Sequence, residues 1–262
     1  MSRFVRLATL DPYQAFAVLL RRSRPAMERA YLASFEAHRR CSELLRDHLF
    51  ASVQHHDMAG FPIFDEGDTA DVDDQPDLDA LWIGGIAEDY AADLQAAPVV
   101  LTADSQLRLF GKRVLKRQVI EPGFGPLYKS SIGDVRLTTL LWAAANAIRH
   151  VEEWDDNPDL ARLPYPEISS LRKGSDTRRA MQSISVIQRA FGIGIHELVR
   201  DPVSCRVLVA VDAPLGLVPP AYARFEEAVL QAAREIADAA GGDARTRLES
   251  ALVGAASELS VQ

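Results

Sequence analysis

The sequence predicts a mainly α-helical fold, a helical bundle with a minor β component made of a short hairpin and one strand. Several long segments lack Gly and Pro and carry apolar residues at helical spacing. Residues that favour helix starts precede these segments, and only two short segments are predicted to form strands. The composition, 48% hydrophobic and 25% charged, is that of a folded globular chain and excludes wholesale disorder.

The N-terminal part predicts two helices. Asp11 is a typical N-cap and Pro12 suits the first helical turn, so a short helix is expected to run to about Arg22. Ser23 opens a second start signal. From there a long helix is expected to reach about His55, with its apolar residues along one stripe.

An acidic segment follows these helices. Between Asp57 and Asp93 the chain has twelve acidic residues and no Lys or Arg. Residues 57–80 are rich in turn formers and predict an acidic loop, and Asp79–Ala97 predicts a helix with an acidic outer face. The basic segment Gln106–Ile120 predicts a hairpin or short strands, because it has β-branched and alternating parts.

The rest of the chain completes a bundle of two units, with residues 1–160 as the principal helical unit and residues 161–262 as a smaller helical subdomain. The remaining predicted elements are a helix over Asp134–Trp154, an irregular segment over 155–174, a helix from Ser175 or Asp176 to Phe191, a strand over Cys205–Asp212, and helices over Pro219–Ala240 and Ala244–Leu259.

Charge and cysteine usage limit the classes of function. The formal net charge is −8 and the pI is about 5.3, which argues against a protein that coats nucleic acid nonspecifically. Cys41 and Cys205 belong to no metal-ligand pattern, so we expect reduced thiols, no metal and no cofactor. The sequence predicts no signal peptide and no membrane span, and we expect a cytoplasmic protein.

One predicted helix carries an unusual polar face. Asn146, Arg149, His150 and Glu153 stand at i, i+3, i+4 and i+7 in the otherwise apolar segment LLWAAANAIRHVEEWDDNP, so they share a face. Each of these groups needs a hydrogen-bond partner if it is buried. Burying polar groups in an apolar helix costs free energy, and a functional site is one reason for a protein to bear that cost.

These side chains suit metal-independent cleavage of an RNA phosphodiester. His150 can exchange protons near neutral pH, and Arg149 can hold a phosphate. Asn146 can orient the substrate or the imidazole, and Glu153 can fix the histidine tautomer or pair with Arg149. The basic cluster Arg108–Arg117 and the N-terminal helices predict a positive surface, which could bind RNA, bind the chain's own acidic loop or simply face solvent.

The stretch Asn146-Ala147-Ile148-Arg149-His150 resembles the HEPN (higher eukaryotes and prokaryotes nucleotide-binding) superfamily. Many of its members are ribonucleases of toxin–antitoxin or antiviral defence systems, and their active site often forms across a homodimer. The family order places the arginine before the polar residue and the histidine, whereas here Asn146 comes first. The resemblance implies Arg149 and His150 as catalytic residues, with His38 or an arginine of the first long helix completing the site.

Two alternatives remain open at this point. A non-enzymatic helical interaction or adaptor protein, antitoxin-like or a complex subunit, fits the amphipathic helices and the acidic loop, with a homo-oligomer or a protein partner. It predicts that Asn146, Arg149 and His150 are buried and paired, whereas an enzyme predicts that they line an exposed cleft. The segment 123–130 nearly matches a phosphate-binding loop, but Tyr128 replaces its last required glycine.

Overall fold

The computed structural model describes residues 10–54, 78–119, 123–155, 157–158, 160, 167–191, 207–208 and 221–258. Within these ranges the chain forms six helices and one two-stranded hairpin, which confirms the predicted mainly α fold with a minor β part. The elements are α1 (Pro12–Gln54), α2 (Leu78–Leu115), β1 (Leu127–Lys129), β2 (Asp134–Arg136), α3 (Leu137–Asp155), α4 (Asp176–Phe191), α5 (Tyr222–Ala240) and α6 (Ala244–Glu258).

Helix α1 is one continuous element where the sequence predicted two. Asp11 caps it as expected, since its Oδ1 accepts a hydrogen bond from the Tyr13 amide at 2.9 Å. The helix continues through Pro25 without ending. Pro25 is solvent-exposed, so water can reach the backbone carbonyl that the proline leaves without an amide partner.

Helices α1 and α2 form a long antiparallel pair. The Ser34 hydroxyl donates to the Ala92 carbonyl at 2.8 Å, and further along α1 the side chain of Leu45 packs against Gly85. A Cβ added at Gly85 would lie 2.6 Å from Leu45 Cδ2, so the glycine permits this close approach. Helix α2 ends after Leu115, where Lys116 takes a left-handed backbone conformation with φ of 58°.

The hairpin lies at a different place from the predicted one. Residues 106–115 belong to α2, so the prediction of a hairpin or strands over Gln106–Ile120 is wrong for this part. Instead β1 and β2 pair in antiparallel fashion, with Tyr128 opposite Val135. Leu107 and Phe110 are buried in the core, and this helical packing overrides the β-like composition.

The C-terminal helices pack on the same core. The described elements α4, α5 and α6 agree with the predicted helices, and positive φ angles at Gly241 and Gly242 break the chain between the last two. The predicted strand over Cys205–Asp212 is wrong at Val207 and Leu208, which are helical and buried; its other residues lie outside the described ranges. Nothing described tests the division at residue 160, which stays a prediction.

One hydrophobic cluster joins these helices. Tyr31 of α1 packs edge-to-face on Tyr222 of α5, and Leu140 and Leu141 of α3 are fully buried. Thr138 fixes the start of α3, because its hydroxyl donates to the Val119 carbonyl and accepts from the Phe124 amide, both at 2.8 Å. Among the described helices, none has the length and apolarity that a membrane span requires.

Candidate functional site

The polar face of α3 lies between α2 and α4. Arg149 Nη2 donates to Asp104 Oδ2 at 3.1 Å, and Arg108 Nη2 reaches the same oxygen at 2.9 Å. Asp104 is buried, with 1% of its side chain exposed, whereas each of the two arginine side chains is 33% exposed. Two guanidinium groups therefore converge on one buried carboxylate, and the cluster carries a net positive charge.

Burial dominates the electrostatics of this cluster. It raises the pKa of the Asp104 carboxyl, although the charges of Arg108 and Arg149 act to lower that pKa. Among the described residues, Asp104 Oδ1 and Arg108 Nε are buried and make no hydrogen bond. The interaction is thus incompletely satisfied on both sides, which is costly in a low-dielectric environment.

Asn146 lies one helical turn before Arg149 and connects α3 to α4. Its Nδ2 donates to Ser183 Oγ at 3.3 Å, and Ser183 is fully buried. The buried hydroxyl of Ser183 needs a hydrogen-bond partner, and the amide of Asn146 provides it in the interface between α3 and α4.

His150 and Glu153 form a pair on the exposed side of the same face. The distance from His150 Nδ1 to Glu153 Oε2 is 2.9 Å, and both side chains are accessible to solvent. Glu153 therefore pairs with His150, and Arg149 pairs with Asp104 instead. A carboxylate on Nδ1 fixes the imidazole tautomer and directs Nε2 away from the pair.

The structure does not bring His38 to this face. His38 lies on α1, between Ser34, which bonds to Ala92 of α2, and Arg40, which pairs with Glu88. Asp104 stands twelve residues beyond Ala92, which is about 18 Å along the helix. Among the described residues, no hydrogen-bond partner reaches the buried Nδ1 of His38.

The predicted basic surface is partly used by the protein itself. In the cluster Arg108–Arg117, Arg108 pairs with Asp104 and Arg113 Nη2 donates to the Leu10 carbonyl at 2.6 Å. Residues 57–77 of the predicted acidic loop lie outside the described residues.

In the segment 123–130, which nearly matches a phosphate-binding loop, two backbone amides donate to protein oxygens. The Phe124 amide donates to Thr138 Oγ1, and the Gly125 amide donates to Glu235 Oε2 at 2.8 Å. Tyr128 lies in β1 and is partly buried. The amides of Phe124 and Gly125 are therefore occupied by protein oxygens and are not available to a phosphate.

An exposed apolar stripe on α2 is the feature that sequence reasoning missed. Ile83, Ile86, Tyr90 and Leu94 are 64%, 42%, 62% and 72% exposed. The sequence predicted an acidic outer face for this helix, whereas these four apolar side chains dominate one side of it. Their spacing of three and four residues was the available signal. We call these four residues the α2 stripe.

The described residues contain no group of three His, Cys, Asp or Glu side chains arranged to hold a metal ion. Comparison of the chain with protein-family models, with curated proteins and with solved structures finds no match.

Proposed function

We propose that this chain is a helical interaction protein that binds a partner polypeptide through the α2 stripe. The exposure of four large apolar side chains along three helical turns carries this proposal. Contiguous apolar patches on a folded surface are a feature of binding sites, because water contact with them is unfavourable and a partner removes it.

The polar face of α3 supports the same conclusion. Arg149 and Asn146 are bonded to buried groups of α2 and α4, so their presence in an apolar helix has a structural reason. A helix interface of this kind needs no substrate to explain it. Cys41 is a free, buried thiol, and the reducing cytoplasm is the compartment we propose for the protein.

Complex size in cell extracts tests this proposal. The stripe variant carries Ile83→Ser and Leu94→Ser. The control variant carries Ile132→Ser, in the turn between β1 and β2, and Val253→Ser, on α6, at residues that are 54% and 68% exposed. In native size-exclusion runs of extracts, we expect wild type and control to elute above the 28.8 kDa monomer and the stripe variant to elute as the monomer. Identical elution of all three proteins would reject the proposal.

The second candidate function is the metal-independent ribonuclease, as a toxin or defence-type effector. The observation that favours it is the accessible His150–Glu153 pair beside the partly exposed guanidinium of Arg149. A histidine held by a carboxylate can act as a general base on a 2′-hydroxyl, and the arginine can stabilise charge at phosphorus.

Labelled total RNA with excess EDTA tests the second candidate. We expect cleavage by wild type and at least a hundredfold loss in His150→Gln, which replaces an accessible side chain and leaves the core intact. Arg179→Gln, at an exposed ion pair on α4, is the control and keeps full activity. Equal cleavage by wild type and His150→Gln, or none by wild type, excludes this site as a ribonuclease.

A further inference from the structure

The α2 stripe has the shape of a surface that receives another helix. At 100° per residue its four side chains fall within an arc of about 80°, and they extend over about 16 Å of helix. The opposite side of α2 is already occupied, because Ala92, Ala96 and Val99 are buried in the core. A single amphipathic helix laid along the stripe would cover it without disturbing the fold.

The part of α2 that carries the stripe is acidic. Between residues 78 and 107 this helix contains no Lys or Arg, and its acidic residues include Glu88, Asp89 and Asp93. Asp89 and Asp93 lie along the edge of the stripe that Ile86 forms. Around the axis of α2 they are about 60° and 20° from Ile86. Burial raises the pKa of the nearby Cys41 thiol, and the negative charges of Asp89 and Glu88 raise it further.

This charge argues against a second copy as the occupant. Two α2 helices in an antiparallel, two-fold symmetric pair would place their acidic edges side by side, where like charges repel. The net charge of −8 on each chain adds to that repulsion. A helix with basic residues beside its apolar face would gain attraction at the same edge.

We infer that the partner of the α2 stripe is a basic amphipathic helix of another protein. This inference rests on the proposed function, since it names the chemistry of the polypeptide that the stripe binds. The apolar face of that helix packs on Ile83, Tyr90 and Leu94, and its Lys or Arg side chains face the edge formed by Asp89 and Asp93.

Fluorescence anisotropy with model helices tests the inference. The probe is a labelled 18-residue peptide with Leu along one helical face and Lys elsewhere, and the comparison is the same peptide with Glu in place of Lys. At 0.15 M salt we expect the Leu/Lys peptide to bind wild type and the control variant within twofold of each other. The stripe variant should bind it at least about tenfold more weakly, and the Leu/Glu peptide should bind at least about tenfold more weakly than the Leu/Lys peptide.

Three other outcomes of these measurements would change the identity of the partner. Equal binding of the Leu/Lys peptide to wild type and the stripe variant would overturn the inference, because only the general negative charge would then be recognised. Stripe-dependent dimerisation in sedimentation runs of the pure protein would also overturn it, with a second copy as the occupant. If complexes in extracts depend on the stripe but the Leu/Lys peptide does not bind, the partner chemistry is wrong and the proposed function stands.

Discussion

Replacing Arg149 with Gln tests whether this arginine stabilises the fold. The substitution removes one of the two guanidinium groups that contact Asp104 Oδ2 and leaves Arg108 in place. Because Asp104 is almost completely buried, its negative charge is stabilised by these two guanidinium groups and not by water. We therefore expect Arg149→Gln to destabilise the native state.

The expected loss follows from the geometry of the cluster. Removing the sole partner of a buried ion costs about 3–5 kcal/mol, and Arg108 supplies the remaining countercharge, so we expect about 2 kcal/mol for Arg149→Gln. With a urea dependence of about 3 kcal/mol per M, the unfolding midpoint should fall by roughly 0.7 M.

The loss of unfolding free energy in Arg149→Gln should also depend on pH. Burial keeps the pKa of Asp104 above its unfolded value, so the contribution of this carboxyl to stability is greatest below the unfolded pKa and decreases as pH rises through the folded pKa. Removing Arg149 takes away a charge that lowers this pKa. The folded pKa therefore rises further, and the loss should be larger at pH 7.5 than at pH 4.5.

Urea titrations followed by far-UV circular dichroism measure both effects. Arg179→Gln is the matched control, because its ion pair with Asp176 is exposed and should contribute less than about 0.5 kcal/mol at either pH. If Arg149→Gln and Arg179→Gln have the same midpoint, the structural role of Arg149 is refuted, and a larger loss at pH 4.5 than at pH 7.5 would refute its coupling to Asp104.

Two further predictions concern packing and the buried thiol. Gly111→Ala should cost about 1–3 kcal/mol in urea unfolding, because the new Cβ would lie 2.0 Å from Val119 Cγ1, whereas Gly254→Ala, with open space around it, should cost nothing. In a Cys205→Ser background, Cys41 should react with a thiol reagent at pH 7.5 at least about tenfold more slowly in the native state than in urea, because burial raises its pKa and restricts access. Equal rates in both states would contradict that prediction.

Local sequence signals predicted the helices well where the chain has caps and glycines. Asp11 at the start of α1 and Gly241 after α5 act as expected. Prolines gave the wrong boundaries, since α1 continues through Pro25 and α2 through Pro98. Both prolines are exposed, and packing of the opposite faces of the two helices outweighs the loss of one hydrogen bond in each.

The polar face of α3 was visible in the sequence, but its partners were not. The spacing of Asn146, Arg149 and His150 showed that they share a face. Their partners Asp104 and Ser183 lie 45 and 37 residues away from Arg149 and Asn146 along the chain, and no local pattern indicates such contacts. Tertiary pairing of this kind arises only when three helices pack together.

Helix α2 departs from a simple amphipathic pattern in two ways, with a buried charge and an exposed apolar surface. In its C-terminal half Asp104 is buried, and Arg108 and Arg149 compensate its charge from within the protein. In its N-terminal half Ile83, Tyr90 and Leu94 are exposed, and within the described residues they remain in contact with solvent. The buried charge of Asp104 has partners inside the protein, so a structural role accounts for it. An exposed apolar surface is stabilised by burial against another molecule, and this difference supports the proposed binding role of α2 rather than a catalytic role of α3.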